Sequence, residues 1–128
     1  MTTNNFIRIS IFFALTAVIF GALGAHYLKD LITSSQLTSF ETGVKYQFFH
    51  SLAILSISLN SEKFNNHVTK SLFFLFLGTL FFSFSIYLLA LKDLLLISFQ
   101  YLALITPIGG LLLIIGWFLL FFCLKKKK

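Results

Sequence analysis

Ser71 to Leu91 reads SLFFLFLGTLFFSFSIYLLAL, 21 residues without a charge between Lys70 and the Lys92-Asp93 pair. At 1.5 Å per residue this run makes about 31 Å of helix, the thickness of a bilayer's hydrocarbon core. Hydrocarbon offers no water to satisfy backbone N–H and C=O groups. The segment must therefore close its own hydrogen bonds, as a helix.

The neighbouring runs repeat the pattern with instructive differences. Phe6 to Leu28 has 23 residues with one charge, Arg8, near its start. It reads as a span; the rival reading is a signal peptide ending near Ala25. Tyr46 to Ser61 has only 16 uncharged residues, about 24 Å of helix, so Lys45 must snorkel and Tyr46 sit at headgroup level. A re-entrant hairpin is the alternative there. Leu94 to Leu124 has 31 uncharged residues, about 46 Å, too long for one perpendicular crossing. Its first part, to Gln100, is assigned to the interface. Pro107 removes a backbone donor and predicts a kink or local break near Ile105. Trp117 and Lys125 to Lys128 mark the exit.

The expected architecture is all-α: one membrane domain over residues 1–128, with four transmembrane helices at about 6–28, 38–60, 70–91 and 98–124. Between the first two runs, Thr38-Ser39-Phe40-Glu41 has the spacing of a capping box. It predicts a helical segment beginning near Gln36 or Thr38, lying in the interface before helix 2.

Composition agrees. Apolar residues make up 58% of the 128 and charged residues 11%, against about 25% charged in soluble domains. That excludes a disordered chain, a coiled coil and almost any soluble enzyme. The single Cys123 excludes an internal disulfide and any paired-cysteine metal site. The net charge of +6 sits at the ends of apolar runs, and no basic stripe with interleaved aromatics suggests nucleic acid. With four spans, seven basic residues fall on the side of the termini and three on the other. The positive-inside rule then puts both termini in the cytoplasm.

Two sets of residues stand out, lying within the runs except for Gly43, which ends the polar interval before the second. The glycines Gly21, Gly24, Gly43, Gly78, Gly109, Gly110 and Gly116 suit close helix approach. Polar residues are costly there and need partners. His26, Tyr46, Gln47, His50, Ser83, Ser85, Tyr87 and Thr106 fall at one depth, toward the non-cytoplasmic face, when the four helices are laid out in alternating directions. They predict a polar layer inside the bundle. Its first reading is structural, as interhelical hydrogen bonds; its second is a pocket for a small ligand or a proton relay. His26 and His50 come with no cysteine or carboxylate in the runs, too few groups for a zinc site or a nucleophilic triad. No metal, cofactor or catalytic residue is expected.

Four segments in order carry a family resemblance: Gly21-Ala-Leu-Gly-Ala-His26, Glu41-Thr-Gly-Val-Lys-Tyr-Gln-Phe-Phe-His50, Ser83-Phe-Ser-Ile-Tyr87, and Thr106-Pro-Ile-Gly-Gly110 followed by Gly116-Trp117. Together they resemble the small bacterial membrane proteins grouped as domain of unknown function 423, to which the transmembrane protein 256 family of eukaryotes is related. The resemblance covers about residues 6 to 122. It implies a four-helix inner-membrane protein and supplies no biochemical activity. Phe84 stands where the family pattern has glycine, which puts the facing of Ser83 and Ser85 in question. The expected role is a non-enzymatic accessory or assembly protein, with a membrane-protein partner or a second copy of the chain beside it in the bilayer. The alternative is a small-solute or proton carrier working through the polar layer.

Overall fold

The structure is a computed structural model that describes residues 1–96 and 101–125. Its helices are α1 Thr3–His26, α2 Ser34–Leu59, α3 Val68–Ala90, α4 Lys92–Leu95 and α5 Leu102–Phe121, with 3-10 turns at Leu28–Asp30 and Ser61–Lys63. The one extended pairing among the described residues is an antiparallel bridge between Phe64 and Leu124. The described residues thus form an all-helical fold. Three segments, Thr3–Asp30, Val68–Ala90 and Leu102–Phe121, are long and apolar enough to cross a membrane. At 26 residues α2 has the length, about 39 Å, but its first half carries Gln36, Glu41, Lys45 and several hydroxyls.

The start of α2 corrects the expected cap. The box closes on Thr33 and Gln36: the Thr33 N–H donates to Gln36 Oε1 (2.9 Å) and the Gln36 N–H to Thr33 Oγ1 (3.3 Å). This is the same spacing, met earlier in the chain. Gln36 Nε2 also donates to Asp93 Oδ2 (2.6 Å), which ties the first turn of α2 to α4. Thr38 lies inside the helix and donates its hydroxyl to the Ser34 carbonyl (2.9 Å). The segment expected in the interface is therefore the first turns of α2 itself and not a separate element. Thr33→Ala is expected to cost about 1 kcal/mol, seen as faster amide exchange over residues 34–37 with the rest of α2 unchanged.

In the last run, the expected helix start at 98 and part of the segment 94–100 lie outside the described residues. The short α4 ends at Leu96, whose φ of 52° is left-handed. The expected break near Ile105 does not occur, because α5 runs unbroken through Pro107. Pro107 sits in its second turn, where the lost N–H leaves only the Ala103 carbonyl without its intrahelical donor.

The helices pack in sequence: α1 on α2, α2 on α3, and α3 most extensively on α5. The α3–α5 seam is notched. Leu75 meets Gly116, Gly78 meets Leu113 and Phe82 meets Gly109, and one step further Ser85 meets Thr106. Along α3 the steps are three, four and three residues, which keeps every contact on one face. A Cβ on Gly78 would lie 2.7 Å from the Leu113 nitrogen, and one on Gly116 3.0 Å from the Leu75 nitrogen. These backbones touch, as small residues permit in a membrane. One core gathers Phe6, Ile54, Ile57, Val68, Leu72, Leu75 and Leu113, and a second gathers Leu28, Phe40, Tyr87 and Ala90.

Candidate functional site: a divided polar interior

The register of α1 against α2 decides which polar groups meet. Gly24 faces Phe40, Gly21 faces Val44, and Thr16 faces Gln47. Gln47 is buried and joins three helices. Its Nε2 donates to the Phe13 carbonyl (2.9 Å) and to Thr16 Oγ1 (2.7 Å) on α1. Its Oε1 accepts from the Tyr87 hydroxyl on α3 (2.8 Å). Gly43, one turn before Gln47, makes this reach possible. The Tyr87 ring lies across it, so close that an added Cβ would sit 2.8 Å from Tyr87 Cε1. Phe20 and Phe40 enclose the ring, with centroids 5.1 Å and 4.9 Å away.

The other groups form two further sets. Ser85 and Thr106 share a hydrogen bond of 2.7 Å between α3 and α5. His50 accepts from Trp117 Nε1 at its Nε2 (3.2 Å), linking α2 to α5, while its Nδ1 lies 2.8 Å from the Tyr46 carbonyl. The Tyr46 ring packs on Phe82 at 4.4 Å. The eight residues are thus divided among separate contacts. His26 joins none of them. It is exposed at the end of α1, ten residues and about 15 Å beyond Thr16.

Ser83 is the odd member. It is buried, yet its hydroxyl has no hydrogen-bond partner among the described residues. Ser83 faces inward and Phe84 is exposed, so the Phe84 departure leaves both serines on buried positions. Removing the orphan hydroxyl removes a polar group without breaking a bond. Ser83→Ala is expected to leave stability within about 0.5 kcal/mol or raise it, while Ser85→Ala costs about 1 kcal/mol. Unfolding in detergent of the two variants side by side checks the contrast.

Sequence reasoning missed three participants. Thr16, in the Phe6 to Leu28 run, accepts from Gln47 Nε2 (2.7 Å). Ser71 donates to the Gly116 carbonyl (2.8 Å) at the buried α3–α5 seam. Trp117 serves as a donor to His50 as well as an interface marker. Each pairing depends on helix register, which residue spacing within one helix does not encode.

Beside these contacts a cleft of about 540 Å³ opens between α2 and α5. Ser39 and Thr42 form one side, Ala103, Thr106 and Pro107 the other, and Phe82 with Ile86 the floor. Its hydroxyls are already engaged: Thr42 donates to the Thr38 carbonyl (2.9 Å) and Ser39 to the Ser35 carbonyl (3.1 Å). Among the described residues, no three His, Cys, Asp or Glu side chains gather where they could hold a metal ion. The chemistry on offer is neutral hydrogen bonding and apolar contact.

The model of a family described as protein of unknown function (DUF423) matches residues 20–110. A UPF0382 membrane protein of Staphylococcus epidermidis is 41% identical over 107 residues, 84% of each chain. The UPF0382 inner membrane protein YgdD of Escherichia coli K12 is 39% identical over 114 residues, 86% of this chain and 83% of its own. A UPF0382 membrane protein of Haemophilus influenzae is 32% identical over 125 residues, 98% of this chain and 97% of its own. No solved structure matches. With apolar helices able to span a bilayer and relatives that are named membrane proteins across nearly its whole length, the chain belongs to the DUF423 family of membrane proteins of unknown function.

Proposed function

We propose that this protein is a non-enzymatic accessory or assembly protein of the bacterial inner membrane. In this reading α1, α2, α3 and α5 are four spans of one up-down bundle, and both termini lie in the cytoplasm. The observation that carries it is how the interior polar groups are spent. Gln47, Tyr87, Thr16, Ser85 and Thr106 bond across helices in the interior, and His50 with Trp117 at its exposed edge. A group already held by a fixed partner in hydrocarbon serves packing; a carrier or an enzyme needs groups free to exchange partners. Among the described residues, the His50 ring meets the Tyr46 carbonyl and Trp117 Nε1 and no carboxylate.

Topology follows from charge. Arg8, Lys63, Lys70 and the lysine tail share one end with a single acid, Glu62, so the net charge of +6 belongs to that end. At the other end Lys29, Lys45 and Lys92 are matched by Asp30, Glu41 and Asp93. The positive-inside rule favours the termini inward. Four spans also let the polar first half of α2 reach the outer headgroups. Its working company is a membrane-protein partner or a second copy of the chain.

The experiment pairs function with stability. His26→Ala and His50→Ala are made separately and together, and Gln47→Leu is made beside them. In the accessory reading, both histidine variants keep every transport and growth phenotype, while Gln47→Leu lowers thermal stability in detergent. Loss of a solute or proton flux in a histidine variant that stays folded overturns this reading in favour of the carrier. Single-cysteine labelling at Ser35 and Asn66, in a Cys123→Ser background, tests the topology: an impermeant reagent added to intact cells reaches the first and not the second.

A further inference from the structure

We propose that the crevice between the start of α3 and the end of α5 binds the headgroup of an anionic glycerophospholipid. The crevice has a volume of about 250 Å³ and is lined by Asn65, His67, Lys70, Leu119, Phe122 and Cys123. It is therefore two-sided: the Lys70 ammonium and the His67 ring at the start of α3, beside an Asn65 amide that accepts from the His67 N–H (2.9 Å), and an apolar wall at the end of α5. That division matches an amphiphile whose phosphate sits against Lys70 and whose first acyl carbons lie along Leu119 and Phe122.

Three observations support a preformed site. First, its walls are tied together. The Asn65 N–H donates to the Cys123 carbonyl (2.8 Å), the Lys125 N–H to the Lys63 carbonyl (3.1 Å), and Asn65 Nδ2 to the Phe122 carbonyl (3.4 Å). The loop before α3 and the exit of α5 move as one body. Second, positive charge is in excess around it, with Glu62 the one acid at this end of the helices. Lys63 Nζ donates to Asn60 Oδ1 (2.8 Å) and Lys125 Nζ to the Glu62 carbonyl (2.9 Å), both neutral acceptors. The positive ammoniums remain available as field. Third, no acidic residue lies in the first turn of α3, so the positive end of a 23-residue helix adds to that field. Lys70 also lines a second crevice of about 230 Å³ with Met1, Phe6, Phe73 and Phe74. A second chain of the same lipid has an apolar path on that side.

A free phosphate would use the lysine but leave Leu119 and Phe122 bare. A lipid satisfies both walls, and the crevice opens where membrane helices end. The inference rests only on the chain being a membrane protein and is independent of the accessory role.

The test uses the full chain purified in a neutral detergent. Dioleoyl phosphatidylglycerol, dioleoyl phosphatidylcholine and inorganic phosphate are titrated in turn, with bound lipid counted by native mass spectrometry and the unfolding midpoint followed. Phosphatidylglycerol is expected to stay bound and raise the midpoint, while phosphatidylcholine and phosphate do neither. Lys70→Gln, on an exposed side chain, keeps the lipid-free midpoint and weakens phosphatidylglycerol binding about fivefold; adding His67→Gln weakens it further. Lys29→Gln, at the opposite end, leaves binding unchanged. Equal binding of both lipids overturns the proposal, as does phosphate alone reproducing the effect. Binding lost when Lys125 to Lys128 become glutamine but kept in Lys70→Gln would also overturn it, by showing diffuse attraction to the tail.

Discussion

Gly109→Ala is expected to be the most damaging one-carbon change in this protein, costing about 3 kcal/mol. The added Cβ would fall on the Phe82 backbone nitrogen and 2.8 Å from the Phe82 Cα. Backbone cannot rotate away as a side chain can, so α3 and α5 must separate along the whole seam. Separation also strains the Ser85–Thr106 hydrogen bond and the Ser71 contact with the Gly116 carbonyl. The neighbouring Gly110 is the control. A Cβ there would meet only the Phe82 ring at 3.8 Å, an ordinary contact. Gly110→Ala is expected to lie within about 0.5 kcal/mol of the native protein, helped by the better helix propensity of alanine. Thermal unfolding in detergent, with both variants at equal lipid content, checks the difference. Equal behaviour of the pair would show that the helices are not in backbone contact.

Gln47→Leu is expected to have the next largest effect, about 2–3 kcal/mol. The substitution is close in volume and apolar, so it leaves little cavity. What it removes is the acceptor of the Tyr87 hydroxyl and two donors to α1. The Tyr87 hydroxyl is then buried without a partner, which costs about 1–3 kcal/mol by itself. Tyr87→Phe alone is expected to cost less, since Gln47 keeps its bonds to α1. The double variant should recover about 1 kcal/mol relative to the sum of the two singles, because the orphaned hydroxyl is gone. Additive behaviour would mean that the two side chains do not touch in the membrane.

How much of this was legible in the sequence follows from what each signal encodes. Helix identity and membrane character could be read from uncharged run length alone, because in hydrocarbon the backbone has no alternative. The capping spacing was read correctly as a kind and placed at the wrong threonine, since two threonines satisfy related patterns and contact with Asp93 favours the first. Pro107 was expected to kink or break its helix near Ile105, and no break occurs: α5 runs through it, with the Ala103 carbonyl left without its donor. The glycines could be picked out as packing residues but not ranked: Gly78, Gly109 and Gly116 touch backbone, whereas Gly21 and Gly24 meet side chains at 3.4 Å or more. Among the polar residues, depth along a helix was inferable and register between helices was not. That is why Gln47 and Tyr87 could be singled out without Thr16, and why His26, which hydrogen-bonds to none of them, was grouped with them.

The bridge from Phe64 to Leu124, with its flanking ties, has a mechanical meaning beyond the crevice it shapes. It pins the far end of α5 while the glycine notches hold the middle, so α5 cannot piston or unscrew along α3 without shearing backbone hydrogen bonds. On the other side α1 meets its neighbours mainly through side chains, with Gln47 on the Phe13 carbonyl and the Phe13 ring against Phe76. The two halves are thus joined differently, backbone against backbone between α3 and α5 and side chain against side chain around α1.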